Sequence, residues 1–199
     1  DRLRRGETRL SARADRADGL LRLQDLRLDN AALTLRADAA GQNGARRLDL
    51  SARLANLGLV VPQVPGPVTL AGRIDETGDR LAVTLTADGP GGLAATINGT
   101  AATDFSTTAL RLEGSADAIL ANAFLGDVAV TGPLRFDLGL NGRPSLAALS
   151  GRVGWSGGRL TLANPPFAFS GITTTADFAG GGVRIVLDGT SDAGGRVAV

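Results

Sequence analysis

The sequence predicts an all-β fold: an elongated, mainly antiparallel sheet curled around an open groove, with a β-sandwich as the alternative. Three observations predict it. Apolar residues recur with a period of two along most of the 199 residues. Dipeptides that favour tight turns fall between these runs. Only one short stretch carries a helical spacing.

The alternation begins at Leu10 to Ala14. Leu33, Leu35 and Ala37 then alternate with Thr34, Arg36 and Asp38. The same beat runs over 48–54, 68–74, 81–87, 110–112, 134–140, 160–162 and 183–187. Alternation puts the apolar side chains of a strand on one face and the polar ones on the other. The pattern predicts a dozen or more half-buried strands of about 5–8 residues. Asp88-Gly89, Asn98-Gly99, Asn141-Gly142, Gly157-Gly158 and Asp188-Gly189 read as hairpin turns. Pro62, Pro65 and Pro67 mark a break, and Pro165-Pro166 another. Strand, turn, strand without helices between is a meander. The exception is a helix capped by Asp117 and running through Phe124, with Gly126 at its C-terminal end. Leu120 and Phe124 would share a face of it.

Composition narrows the function. The chain is 43% hydrophobic and 21% charged, too apolar for intrinsic disorder. Aromatics are 4%, so the interior is aliphatic, which suits a groove better than a thick core. All 21 basic residues are arginines, offset by 20 acids and interspersed with them, so no basic stripe points to nucleic acid. Arg2, Arg4, Arg5 and Glu7 read as a solvated end. Histidine, cysteine and lysine are absent. That removes the commonest general base, a thiolate metal site and the usual partners of an activated serine. No catalytic residue, metal or cofactor is expected.

The remaining candidates read as ordinary surface. Asp15 and Asp18, or Asp25 and Asp29, have the residue type for glycosidic chemistry but sit on polar beats. Gly89-Pro90-Gly91-Gly92 leads into the strand-like Leu93–Ile97 with no lysine, so it is a hairpin loop and not a phosphate cradle. Gly180-Gly181-Gly182 lacks the aspartate spacing of a calcium-binding roll. Asn98-Gly99-Thr100 fits a glycosylation sequon and a hairpin turn, and the turn is preferred. No run approaches the ~18 apolar residues of a membrane helix. The chain opens Asp1-Arg2-Leu3 and has no methionine, which reads as a segment of a longer protein.

An internal echo is also present. Ser51-Ala52-Arg53-Leu54 leads through a loop to Gly66-Pro67-Val68, and Ser115-Ala116-Asp117 leads through a similar loop to Gly132-Pro133-Leu134. The division that follows is one continuous repetitive segment over 1–199, with repeat units at about 51–114 and 115–199.

The stretch from Ser115 to Gly126, with Phe124-Leu125-Gly126, is followed by Val130-Thr131-Gly132-Pro133-Leu134, Leu149-Ser150-Gly151-Arg152-Val153 and Gly157-Gly158-Arg159-Leu160. This order of words resembles the TamB (translocation and assembly module) family of the AsmA-like group, most clearly over 110–199. The resemblance implies a β-taco in the periplasm of a Gram-negative bacterium, in a protein anchored in the inner membrane. It also implies a role in outer-membrane protein assembly, through an outer-membrane barrel partner of the TamA type, and in phospholipid transfer between the membranes. It brings no catalytic residues. Ala123 stands where the family often has proline, and the anchor helix is not in this sequence.

One-faced alternation leaves an apolar surface that acyl chains could occupy. Its expected lining is Leu81, Val83, Leu85, Val128, Val130, Leu134, Phe136, Leu138, Leu140, Val153, Trp155, Leu160, Leu162, Val183, Ile185 and Leu187. Arg135, Asp137, Arg184 and Asp188 would point outward. Trp155 fits either an aromatic cluster near Phe167 and Phe169 or a contact with a lipid or protein. The competing function is a structural or adhesin-type sandwich or solenoid with a dry core.

Overall fold

The computed structural model describes residues 8–17, 20–42, 45–164, 167–191 and 194–198. The expectations for Arg2, Arg4, Arg5, Glu7, Asp18 and Pro165-Pro166 lie outside these residues.

The strands are β1 (Arg9–Ala17), β2 (Leu20–Asp29), β3 (Leu33–Gln42), β4 (Ala45–Leu54), β5 (Val68–Thr77), β6 (Arg80–Gly89), β7 (Leu93–Ala102) and β8 (Thr108–Asp117). They continue with β9 (Val128–Thr131), β10 (Pro133–Gly142), β11 (Leu149–Leu162), β12 (Phe167–Ala179), β13 (Gly182–Ser191) and β14 (Arg196–Ala198). All belong to one antiparallel sheet in which neighbours in sequence are neighbours in space, except that β8 pairs with β10 and β9 pairs with β11. The sheet is open and does not fold into a second layer, so the sandwich alternative is not the one adopted.

The strands are longer than expected, because several turn signals lie inside them. Asn98-Gly99 is within β7, Gly157-Gly158 within β11 and Asp188-Gly189 within β13. Gly157 is the instructive case. The apolar beat falls on Val153 and Trp155, then on Leu160 and Leu162, one residue out of phase. The register shift between Trp155 and Gly158 absorbs that slip, with Gly157 at φ 63°, a conformation that glycine adopts without a Cβ penalty. The same device recurs in β12, where Gly171 has φ 62°, and in β2, where Asp25 has φ 53°. Each bulge keeps the apolar side chains on one face while the sequence phase changes.

Among the described residues three short 3-10 turns occur, at Leu57–Leu59, Ala118–Ala123 and Leu146–Ala148, where one or two helices were expected. The expected helix at 117–125 is the second of these, and its tighter winding changes the packing. A 3-10 turn repeats every three residues, so Leu120 and Phe124 do not share a face. Leu120 is half-buried, while Phe124 is 65% exposed.

Asp117 organises this connection. Its Oδ1 accepts from the N–H of Ile119 at 2.8 Å and of Gly132 at 3.2 Å, and Ala118 N–H donates to Gly132 O. Asn56 does the same in the connection between β4 and β5. Its Oδ1 accepts from Gly58 at 2.9 Å and Gly66 at 3.0 Å, and Leu57 N–H donates to Gly66 O. Both glycines precede a proline and have positive φ, 135° and 120°. The sequence echo thus falls on two connections with one hydrogen-bond plan. Asn122 adds a further bond, its Oδ1 accepting from Val130 N–H at 2.6 Å, which satisfies a free donor on the edge of β9.

Asp117→Ala is expected to lower stability by about 1 kcal/mol, the usual cost of a lost cap, with Asp117→Asn losing less. Urea denaturation of both variants, followed by circular dichroism, measures the difference.

Candidate functional site

The register assembles the apolar face row by row. One row runs Leu35, Ala52, Leu70, Ala87, Ala95, Gly114, Phe136, Val153, Ala176 and Ile185, each directly paired with the next. A second runs Ala37, Leu50, Gly72, Leu85, Ile97, Leu112, Leu138, Gly151, Phe178 and Val183. A third runs Ala39, Leu48, Ile74, Val83, Gly99, Leu110, Leu140 and Leu149. No member of these rows is polar or charged.

The register brings together all sixteen residues expected to line a groove. Leu81 lies one row beyond the third. Leu134, Trp155 and Leu187 lie one row before the first, linked through Thr174. Leu160 pairs with Val130 and Leu162 with Val128, extending the face along β9 and β11. Arg135, Asp137, Arg184 and Asp188 occupy the other face. The expectation omitted β3 to β5, β7, β8 and β12, which supply Leu50, Leu70, Ile97, Leu112 and Phe178. Their alternation was the signal that could have found them.

This face is not covered. Among the described residues the buried apolar ones are four alanines, Val130 and Ile172, and no large side chain is fully buried. Ile185 is 61% exposed and Val183 45%, while Leu138, Phe136 and Leu112 are half-buried. The accessible surface is 12465 Å², against roughly 8,700 Å² for a compact monomer of this mass. Glycines let Phe136 and Trp155 lie low on the face. A Cβ at Gly114 would come within 2.6 Å of the Phe136 ring, and one at Gly158 would meet the Trp155 indole. Trp155 Nε1 donates to Thr131 O at 3.2 Å, tying the β9–β10 junction to the bulge in β11.

The opposite face is polar, and several of its charges pair across strands. Arg47 meets Asp75 at 2.7 Å, Arg73 meets Asp49 at 2.7 Å, and Arg152 meets Asp177 at 2.6 Å. Arg111 grips Asp137 with two bonds, of 2.9 and 2.7 Å, and also reaches Glu113. A depression of about 1210 Å³ lies here, and Gly154 leaves open space among the charges that line it. The Asp25 carboxylate lies 3.6 Å from Arg27, which supports reading it as ordinary surface.

At the two ends of the strands the composition differs. Asp79, Asp104 and Arg143 lie in the connections at one end. In the described parts of the connections at the other end, 30–32, 55–67, 90–92, 118–127 and 163–164, Asp127 is the one charged residue. Val60, Phe124 and Leu125 are exposed there. No described helix is long and apolar enough to cross a membrane. No protein family, curated protein or solved structure matches the chain.

The hydrogen bond and charge of Arg111 hold the Asp137 carboxyl below its ordinary value, and Arg196 does the same for Asp188. A lowered carboxylate contributes stability above the unfolded value near ~3.9, and that contribution is lost as pH falls through the folded value. The stability gap between the parent chain and Arg111→Gln is therefore expected to be present at neutral pH and to close below about pH 4. Urea titrations across that range measure it.

Proposed function

We propose that this chain is a non-enzymatic scaffold whose apolar face takes up phospholipid acyl chains. The observation that carries this reading is a set of charge-free apolar rows running across β3 to β8 and β10 to β13, with no covering layer among the described residues. An uncovered aliphatic surface gains roughly 0.8 kcal/mol for each methylene it removes from water. The rows lie side by side along the sheet, so a chain bound at one strand can slide to the next without crossing a charge. A dry-core adhesin module would need a second layer, and the single sheet provides none.

The setting follows from the resemblance to the TamB family. There the segment belongs to an inner-membrane-anchored protein in the periplasm, moving phospholipid between membranes. In the same setting it supports outer-membrane protein assembly with a barrel partner of the TamA type.

Lipid extraction and mass spectrometry of the purified chain are expected to recover phospholipid. Leu138→Asp is expected to reduce the recovered lipid severalfold while circular dichroism and melting stay close to the parent, because water reaches this half-buried position. Asp137→Leu, on the polar face, is expected to leave lipid recovery unchanged. Unfolding of Leu138→Asp together with a lipid-free parent would sink the proposal.

A further inference from the structure

The apolar face has a polarity along its strands, and it has consequences for whatever lies on it. The described charges on this face are at one end. Arg46 and Glu76 are direct cross-strand partners, 3.5 Å apart, in the row that continues through Leu81, Ala101 and Thr108. That end is also where Asp79, Arg80, Asp104 and Arg143 lie. At the opposite end the last row is Leu33, Leu54, Val68, Gly89 and Leu93, and the connections beyond it are nearly free of charge. Apolar exposure alone does not separate the ends, since Phe105 and Leu146 are exposed beside the charges. The difference is one of charge.

We infer that a phospholipid lies across this face with its headgroup at the Arg46–Glu76 end and its chains parallel to the strands, pointing toward the uncharged connections. This rests on the lipid-scaffold reading and adds a direction to it. Length supports it. From Leu134 to Leu140 the apolar rows span about 20 Å, enough for the hydrocarbon of one leaflet, about 15 Å. Charge supports it as well. Arg46 meets Glu76 at 3.5 Å and its side chain is 74% exposed, so its guanidinium can exchange that contact for a phosphodiester. The carboxylate released can pair with the positive charge of the headgroup's ammonium. Such a pair matches a zwitterionic headgroup, whereas among the described residues the last row of this face at the opposite end offers no counter-charge to a phosphate.

Two photoreactive phosphatidylcholines test the direction, one carrying a diazirine at the chain terminus and one on the headgroup. Each is loaded onto the chain, and the labelled peptides are mapped. The headgroup probe is expected to label peptides containing Arg46, Glu76 and Leu81 at least about fivefold more than those containing Leu54, Val68 and Leu134, the ratio that one favourable charge contact gives. The chain-end probe is expected to show the reverse bias. In Arg46→Leu/Glu76→Leu, checked for folding by circular dichroism, lipid uptake should persist and the headgroup bias should fall toward unity. Uptake with both ends labelled equally in the parent chain overturns the direction alone. Absence of labelling by either probe overturns the scaffold reading and the direction with it.

Discussion

The structure depends on hydrogen-bond register. A side-chain period of two means that slipping any strand by one residue would carry its apolar set to the polar face. From β3 to β10 the pairing runs without a register shift, so Leu50, Leu85, Ile97 and Leu112 meet in one row although they come from four strands. Charges on the other face reinforce that register. Asp137 stands directly opposite Arg152 and diagonally from Arg111, and Arg47 and Arg73 reach carboxylates on each other's strands. Each exposed pair is weak by itself.

Where the sequence phase changes, the backbone bends to preserve the face. The bulges in β2, β11 and β12 lie toward the two flanks of the sheet, leaving the middle regular. Bulges bend a strand and increase its local twist, so the flanks are where this sheet departs from a simple ribbon. β9 and β10 together run alongside the long β11, with the Gly132-Pro133 junction set against the bulge and held by the Trp155 indole. The Asn56 and Asp117 connections place Gly-Pro corners at matching points. A small set of side-chain caps therefore spaces the strands along the sheet.

An uncovered apolar face is costly for an isolated molecule, since it remains in water. The polar face cannot relieve this, because its side chains point to the other side of the sheet. A bound apolar chain can, and the absence of charge within the rows means that binding at one strand differs little from binding at the next. The Arg46–Glu76 pair breaks that uniformity at one end only. A surface with one wettable border and one apolar border favours amphiphiles in a single orientation.

The sequence by itself determined the fold class, the single apolar face and the residues on it, because a strand's two faces follow from alternation without knowledge of its partners. Leu134, Phe136, Leu138 and Leu140 could be assigned to one side by counting. It also marked the two connections whose caps match. It did not separate turns from bulges. Gly157-Gly158 and Asn98-Gly99 carry the composition of hairpin corners, and only the pairing partners show that the strands pass through them. Nor did it foresee that Leu120 and Phe124 would part, since a six-residue turn winds according to its caps and neighbours more than its intrinsic propensity. Whether the face is covered was beyond any local pattern. A sandwich and an open sheet share the same alternation, and only the tertiary structure decides which, because a second layer is a matter of how distant strands return.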